Sequence, residues 1–217
     1  MSWVKDLFSN REHELRTSSW YSRISKDAPS YENCVVKSVT HVKSVACSLA
    51  HESLHIAIEN TATGARTRIV AERNISGDWV VLGRWGSTYH PLGERGSAGN
   101  TKSSGGRSVG SSIVFRSVLP LRSLKFTTDN FKVIQLAEIL KQTTVTGGPW
   151  SPVEKNCYWF ASTVYKSIKQ KLSCVETQFN FYVWRHFPRL YLKFFLWNYK
   201  KTAKEFEQNI KNEWYTF

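Results

Sequence analysis

The stretch from His51 to Glu72 constrains the chain most. Leu54, Ile56 and Ile58 alternate with His51, Ser53, His55, Ala57 and Glu59, which is the period-two pattern of a strand with one face packed. Thr61-Ala62-Thr63-Gly64 is a turn, and Thr67 to Glu72 reads as the returning strand of a hairpin. With the turn centred near residues 62–63, His51 lies opposite about residues 72–74 and His55 opposite about residue 70. Any fold for this chain must accommodate that antiparallel pair.

Other segments fit around the hairpin. Val35, Val36, Val39, Val42 and Val45 form a β-branched run starting at Cys34, and Asp78 to Arg84 and Ile113 to Leu121 read as further strands. Thr128 or Asp129 can cap a helix with Phe131, Ile134, Ala137 and Leu140 on one stripe, and Gly147-Gly148-Pro149 ends it. A second helix is expected from near Asn156 to about Lys171, burying Phe160 or Ala161, Val164, Tyr165 and Ile168. In residues 86–112, fourteen of 27 positions are Gly or Ser, as in a long surface loop that inserts or lids. Residues 1–32 are polar and mixed. They read as a loosely attached arm with Trp3, Leu7 and Phe8 as docking points. The expected class is therefore α+β, an antiparallel sheet packed against helices. Its core domain spans 33–172 and a helical extension spans 173–217.

Charge and cysteine usage narrow the function. Thirty Lys and Arg against 17 Asp and Glu give a formal charge of +13, which favours anionic partners such as phospholipid, nucleic acid or acidic protein. Cys34, Cys47, Cys157 and Cys174 have neither CxxC spacing nor a His pair at zinc-ligand spacing, so neither a metal nor a cofactor is expected. The N-terminus lacks a secretory pattern, and no run of about 18 uncharged residues exists to span a bilayer. A cytoplasmic, thiol-reducing setting is expected, with peripheral membrane contact as an addition.

Asn156 suits a helix N-cap and would place Cys157 in the first turn. There, free amides and the positive end of the helix dipole favour thiolate over thiol and can bind an oxyanion. The competing reading is a small buried apolar cysteine. A nucleophilic cysteine also needs a histidine to form the ion pair and protonate the leaving group.

Asn156-Cys157 opening a helix, followed by Phe160, resembles the Asn-Cys-x-x-Phe motif of the circularly permuted papain-like superfamily. That group includes lecithin:retinol acyltransferase-like proteins and relatives of the NlpC-type cysteine peptidases. The helix Val133 to Leu140 resembles the one these proteins place before the nucleophile. Asn-Cys-Tyr-Trp-Phe-Ala also looks like an uncharacterised variant with an upstream His-Glu before an apolar strand. The resemblance covers residues 35–170 in outline and rests on two short motifs. It implies a permuted papain-like fold, a Cys157 nucleophile and an upstream histidine acting through a thioester on an acyl or amide substrate. Transfer to water, an amine or a lipid hydroxyl, cysteine peptidase or amidase action, and a non-catalytic binding module on the same fold all remain open.

Two histidines compete. His51-Glu52 fits the uncharacterised variant, and His55 fits the acyltransferase-like pattern. Hairpin geometry favours His51, which lies close to Glu72, a carboxylate able to orient the imidazole. His55 would face the apolar Val70, and the second histidine that acyltransferase-like proteins carry on that strand is missing here. The alternative for Glu72 is a solvated strand-end charge beside Arg73. His41 and His90 read as surface residues, and His13 and His186 lie outside the matched region.

Residues 179–199 hold ten of the chain's 30 aromatic residues, and no acid appears between 179 and 204. Pro188 suits the first turn of a helix, with Phe187, Tyr191, Phe194 and Phe195 on one stripe and Arg185, Arg189 and Lys193 recurring at i, i+4 and i+8. With Trp184 and Trp197 these residues suit an anionic membrane interface. The alternative is an aromatic helix that covers the core with snorkelling cations. Nucleic-acid stacking is permitted by charge but supported by no motif.

Overall fold

Alternating apolar residues in the middle of the chain build an antiparallel sheet, and two amphipathic helices close one of its faces. In the computed structural model, residues 4–9, 12–44, 51–83 and 118–180 are described. After a single turn α1 (Val4–Leu7) come β1 (His13–Arg16), α2 (Thr17–Lys26), a 3-10 turn at Ala28–Tyr31, β2 (Cys34–Ser44), β3 (Glu52–Asn60), β4 (Arg66–Asn74) and β5 (Gly77–Leu82). Then follow β6 (Val118–Lys125), α3 (Val133–Gly147), α4 (Cys157–Lys171) and β7 (Val175–Gln178). The seven described strands form one sheet in the order β1-β5-β4-β3-β2-β6-β7, every pair antiparallel. The molecule is thus α+β.

The β3–β4 hairpin has the register its alternation implies, with Ser53 opposite Glu72 and His55 opposite Val70. Gly64 takes a positive φ of 68° in the turn, which a side chain would resist. Leu54, Ile56 and Ile58 from β3 and Ile69 and Ala71 from β4 join one core cluster with Leu136, Ala137 and Leu140 of α3 and Phe160, Val164 and Ile168 of α4. His55 and Val70, on the opposite parity, are also buried, so both faces of the central hairpin are packed.

Three expectations are corrected. The arm expected over 1–32 is not loosely attached: β1 pairs with β5, Trp20, Ile24 and Tyr31 are core residues, and Leu7, one of the expected docking points, is buried with them. Thr17 Oγ1 lies 2.8 Å from Thr144 Oγ1, tying α2 to α3. A four-residue strand and a ten-residue helix with three buried positions bear too few apolar residues to stand out in a polar stretch. Next, α3 starts at Val133, after both Thr128 and Asp129. The Lys132 N–H donates to Gln135 Oε1 at 2.8 Å, while Asp129 pairs with Lys37 at 2.9 Å. Lastly, residues 175–178, expected within a helical extension, form the edge strand β7 against β6. The strand expected over 113–121 is β6 at Val118–Lys125, which runs on past Leu121; residues 113–117 lie outside the described residues.

Gly147 shows how tightly the helix ends meet the sheet. A Cβ there would sit 2.5 Å from Arg73 Nη2 and 2.5 Å from Trp159 Cζ3. Gly→Ala near a helix end normally stabilises by up to about 1 kcal/mol. Here overpacking of a ring and a buried guanidinium should reverse the sign. Gly147→Ala is expected to cost about 1–3 kcal/mol, read as a lowered thermal midpoint. A raised midpoint would contradict this packing.

Candidate active site

The site forms where the start of α4 meets the start of β3. Asn156 caps α4: its Oδ1 accepts from the Trp159 N–H at 3.1 Å, and its Nδ2 donates to the Pro152 carbonyl at 3.0 Å. Cys157 is therefore the first residue of the helix, half-buried at the positive end of the dipole.

His51 immediately precedes β3. Its carbonyl accepts from the Ser44 N–H at 2.7 Å, which extends the β2–β3 ladder and fixes its backbone. Because Ser53 opposes Glu72, His51 is the diagonal neighbour of Glu72, within reach of a long side chain. His51 Nε2 lies 3.1 Å from Glu72 Oε2, and the same imidazole hydrogen-bonds the Cys157 thiol. The structure thus brings together Cys157, His51 and Glu72. Glu72 is buried, in contrast to the alternative of a solvated charge.

The electrostatics follow from that arrangement. Burial alone would push the His51 pKa down. Hydrogen bonds to Cys157 and Glu72, with their negative charges, outweigh it and hold the imidazole up at about 10. Burial would likewise push the Cys157 thiol up. The hydrogen bond and charge of His51, with a hydrogen bond from the backbone N–H of Glu52, outweigh that and lower it, while the Glu52 carboxylate opposes. Both shifts favour an imidazolium–thiolate pair.

His55 is not part of this group. It lies four residues further along β3, roughly 13 Å from His51, and is 4% exposed. Burial, reinforced by Arg68, holds it neutral, with its pKa well below the usual histidine value.

Sequence reading missed the neighbouring polar network. His41, expected at the surface, is 1% exposed. Its Nε2 lies 2.7 Å from Glu52 Oε2, and Arg122 Nε donates to its Nδ1 at 3.4 Å. Arginine can only donate, so Nδ1 accepts and Nε2 carries the proton given to Glu52. Burial depresses the His41 pKa against the pull of Glu52, consistent with this neutral tautomer. Lys43 Nζ lies 3.5 Å from Glu52 Oε1, Arg122 Nη2 donates to Ser162 Oγ at 3.3 Å, and the guanidinium stacks on Tyr165 at 4.0 Å. These groups compensate the buried carboxylate of Glu52, the residue whose backbone N–H bonds Cys157. Lys43 faces Glu52 and His41 faces Leu54 only through the β2–β3 register, which bulges between Val36 and Ser38. The alternation of either strand read alone does not reveal those pairs.

Among the described residues, no group of three or more His, Cys, Asp and Glu is placed to hold a metal, and no helix is long and apolar enough to cross a membrane. The candidate membrane residues Arg185, Arg189, Lys193, Trp184, Phe194 and Trp197, and the 86–112 loop, lie outside the described residues. No family model, curated protein or solved structure matches the chain.

Proposed function

We propose that the protein is a cysteine-dependent acyl hydrolase or acyltransferase. What carries the reading is the line Cys157–His51–Glu72: a helix-terminal thiol bonded to an imidazole that is itself bonded to a buried carboxylate. In the proposed reaction, the Cys157 thiolate attacks an acyl carbonyl carbon. The electron pair of the C=O bond moves to oxygen, where amides at the start of α4, left unpaired by the helix, can bind it. The tetrahedral intermediate collapses, His51 gives its proton to the departing heteroatom, and a thioester remains. His51 then takes a proton from water, an amine or a hydroxyl as that acceptor attacks the thioester, and the Cys157 thiolate leaves. Glu72, bonded to Nε2, orients the ring and leaves Nδ1 for exchange with the thiol.

A permuted papain-like architecture is part of this proposal. In its favour are the histidine upstream of the cysteine, the antiparallel sheet, and a helix opening on the nucleophile. A carboxylate at Glu72 in place of a second histidine is this chain's departure from the acyltransferase-like pattern.

The test uses p-nitrophenyl acetate, a generic acyl donor. Wild type is expected to release a burst of p-nitrophenolate, with one acetyl group mapped to Cys157 by peptide mass spectrometry. Cys157→Ala should lower the rate by on the order of 10³-fold or more. Equal turnover by the two proteins, or acetylation only at other cysteines, would refute the reading.

A further inference from the structure

Glu52 meets the helix that carries the nucleophile by two routes, one through its backbone and one through its side chain. The backbone route follows from the strand ladders. The Ser44 N–H donates to the His51 carbonyl, so the next pair along, Lys43 and Glu52, is a non-hydrogen-bonded pair of β2 and β3. The N–H of Glu52 therefore points away from β2, toward β4. The β3–β4 register, however, starts only at Ser53 opposite Glu72, and Arg73, the next residue of β4, pairs with Asp78 of β5. The ladder ends one residue short of Glu52. Its N–H, left over by the sheet, is the one that bonds the Cys157 sulfur.

The side-chain route returns to the same helix. Glu52 shares a face with Leu54, which packs in one cluster with Phe160 and Val164 of α4. Glu52 Oε2 lies 2.7 Å from His41 Nε2, His41 Nδ1 accepts from Arg122 Nε at 3.4 Å, and Arg122 Nη2 donates to Ser162 Oγ at 3.3 Å. Ser162 belongs to α4, as Cys157 does. These bonds close a circuit from the sulfur through β3, β2 and β6 back to α4, and Glu52, His41, Arg122 and Ser162 are all buried. The groups facing the carboxylate are His41 and Lys43 from β2, with Arg122 of β6 and Tyr165 of α4 behind His41. Those facing the sulfur are His51 and Glu52. Apolar side chains of similar volume commonly stabilise a core as well as buried ions do, so stability alone does not account for a carboxylate here.

We propose that Glu52 is a positioning residue for the nucleophile: His41 and Lys43 grip its carboxylate, and that grip holds the start of β3 where the Glu52 N–H meets the Cys157 sulfur. One residue then exerts two opposed influences. Its amide stabilises the thiolate, and its carboxylate charge opposes it. The inference concerns the state of the sulfur and stands apart from acyl transfer.

The experiment is alkylation of Cys157 by iodoacetamide across pH in wild type, Glu52→Gln and Glu52→Met, with the adduct mapped by peptide mass spectrometry. Gln removes the charge and keeps an oxygen for the His41 N–H, whereas Met removes both. On the acidic limb of the profile, Glu52→Gln should react about two- to tenfold faster than wild type, because the opposing charge is gone. Glu52→Met carries the same charge as Glu52→Gln and should react about two- to tenfold more slowly than it, because the amide is no longer held. A residue that only stabilises the core would change the thermal midpoint and leave the three profiles superimposed, which would overturn the proposal. Equal profiles for the Gln and Met variants would overturn it too. Should Glu52→Met fail to fold, NMR of the wild type decides. The Glu52 amide proton should shift through the pH range in which Cys157 ionises and should not do so in Cys157→Ala; the same pH course in both proteins would refute the contact. Absence of turnover of p-nitrophenyl acetate, with these alkylation profiles as expected, would count against acyl transfer and leave the positioning role standing.

Discussion

Exchanging His51 for Asn should lower the alkylation rate of Cys157 by iodoacetamide at pH 6 by between about 10- and 100-fold. An ordinary thiol with a pKa of about 8.5 is only about 0.3% ionised at that pH. The thiolate lost with the imidazolium outweighs the greater intrinsic reactivity of a more basic sulfur. The sign over pH follows from the two shifts. Cys157 is held low, so in the wild type its reactivity persists as pH falls below the ordinary thiol range. In the variant it should drop about tenfold per pH unit there. His51 is held up at about 10, so the proposed acyl transfer, which would need its proton for the leaving group, should decline on the alkaline side as pH rises through that value. Alkylation, which needs no such proton, should not decline. Superimposable alkylation profiles for wild type and His51→Asn would sink the ion pair. The same profile for His55→Asn should match the wild type, because His55 lies outside the site.

Arg73→Leu should be the most destabilising single change, by about 3–5 kcal/mol. The guanidinium forms a fork with Asp78, Nε to Oδ1 at 2.6 Å and Nη2 to Oδ2 at 2.7 Å, with both side chains buried. It also donates to the Lys155 carbonyl at 3.2 Å and the Gly148 carbonyl at 3.4 Å, and lies 4.9 Å from the Trp159 ring centroid. Removing it leaves an uncompensated buried carboxylate and takes a donor from the Gly148 and Lys155 carbonyls, the second of which keeps the Ser151 N–H at 3.3 Å. Replacing both partners, Arg73→Leu with Asp78→Leu, should recover much of the loss, because the stranded charge is gone. Chemical denaturation of the single and double variants checks this. A double variant no more stable than Arg73→Leu would mean that the helix-end contacts, not the ion pair, dominate. Trp159 sits two residues after Cys157, so the single variant should also lose thiol reactivity at low pH.

The parts of the site legible in the sequence are those set by local rules. Alternation and a turn centred near 62–63 suffice to pair His55 with Val70 and to bring His51 near Glu72. Asn156 before Cys157 suffices for the cap. What escaped depends on distant chain. The Glu52 carboxylate finds His41 and Lys43 across a bulged register, and Arg122 arrives from β6, far along the chain. The place of β1 and α2 in the core was hidden because their apolar residues are few, and they are recruited by partners on β5 and α3. Lys132, not an Asp or Thr, stands at the start of α3 because Phe131 is buried and Val35 bridges Lys132, which fixes where the helix begins.

The order in which the three site residues occur has a kinetic consequence. His51 and Glu72 belong to one hairpin, 21 residues apart, and can meet as soon as that local unit closes. Cys157 follows more than a hundred residues after His51 and reaches it only when α4 docks on the finished sheet. Such long-range contacts form late, after loop closure has been compensated by other packing. Until then the sulfur is an unactivated thiol, mostly protonated near neutral pH and slow toward oxidants and electrophiles. Nucleophilicity here is a property of the completed tertiary structure. A nascent or partly unfolded chain carries the cysteine but not its reactivity.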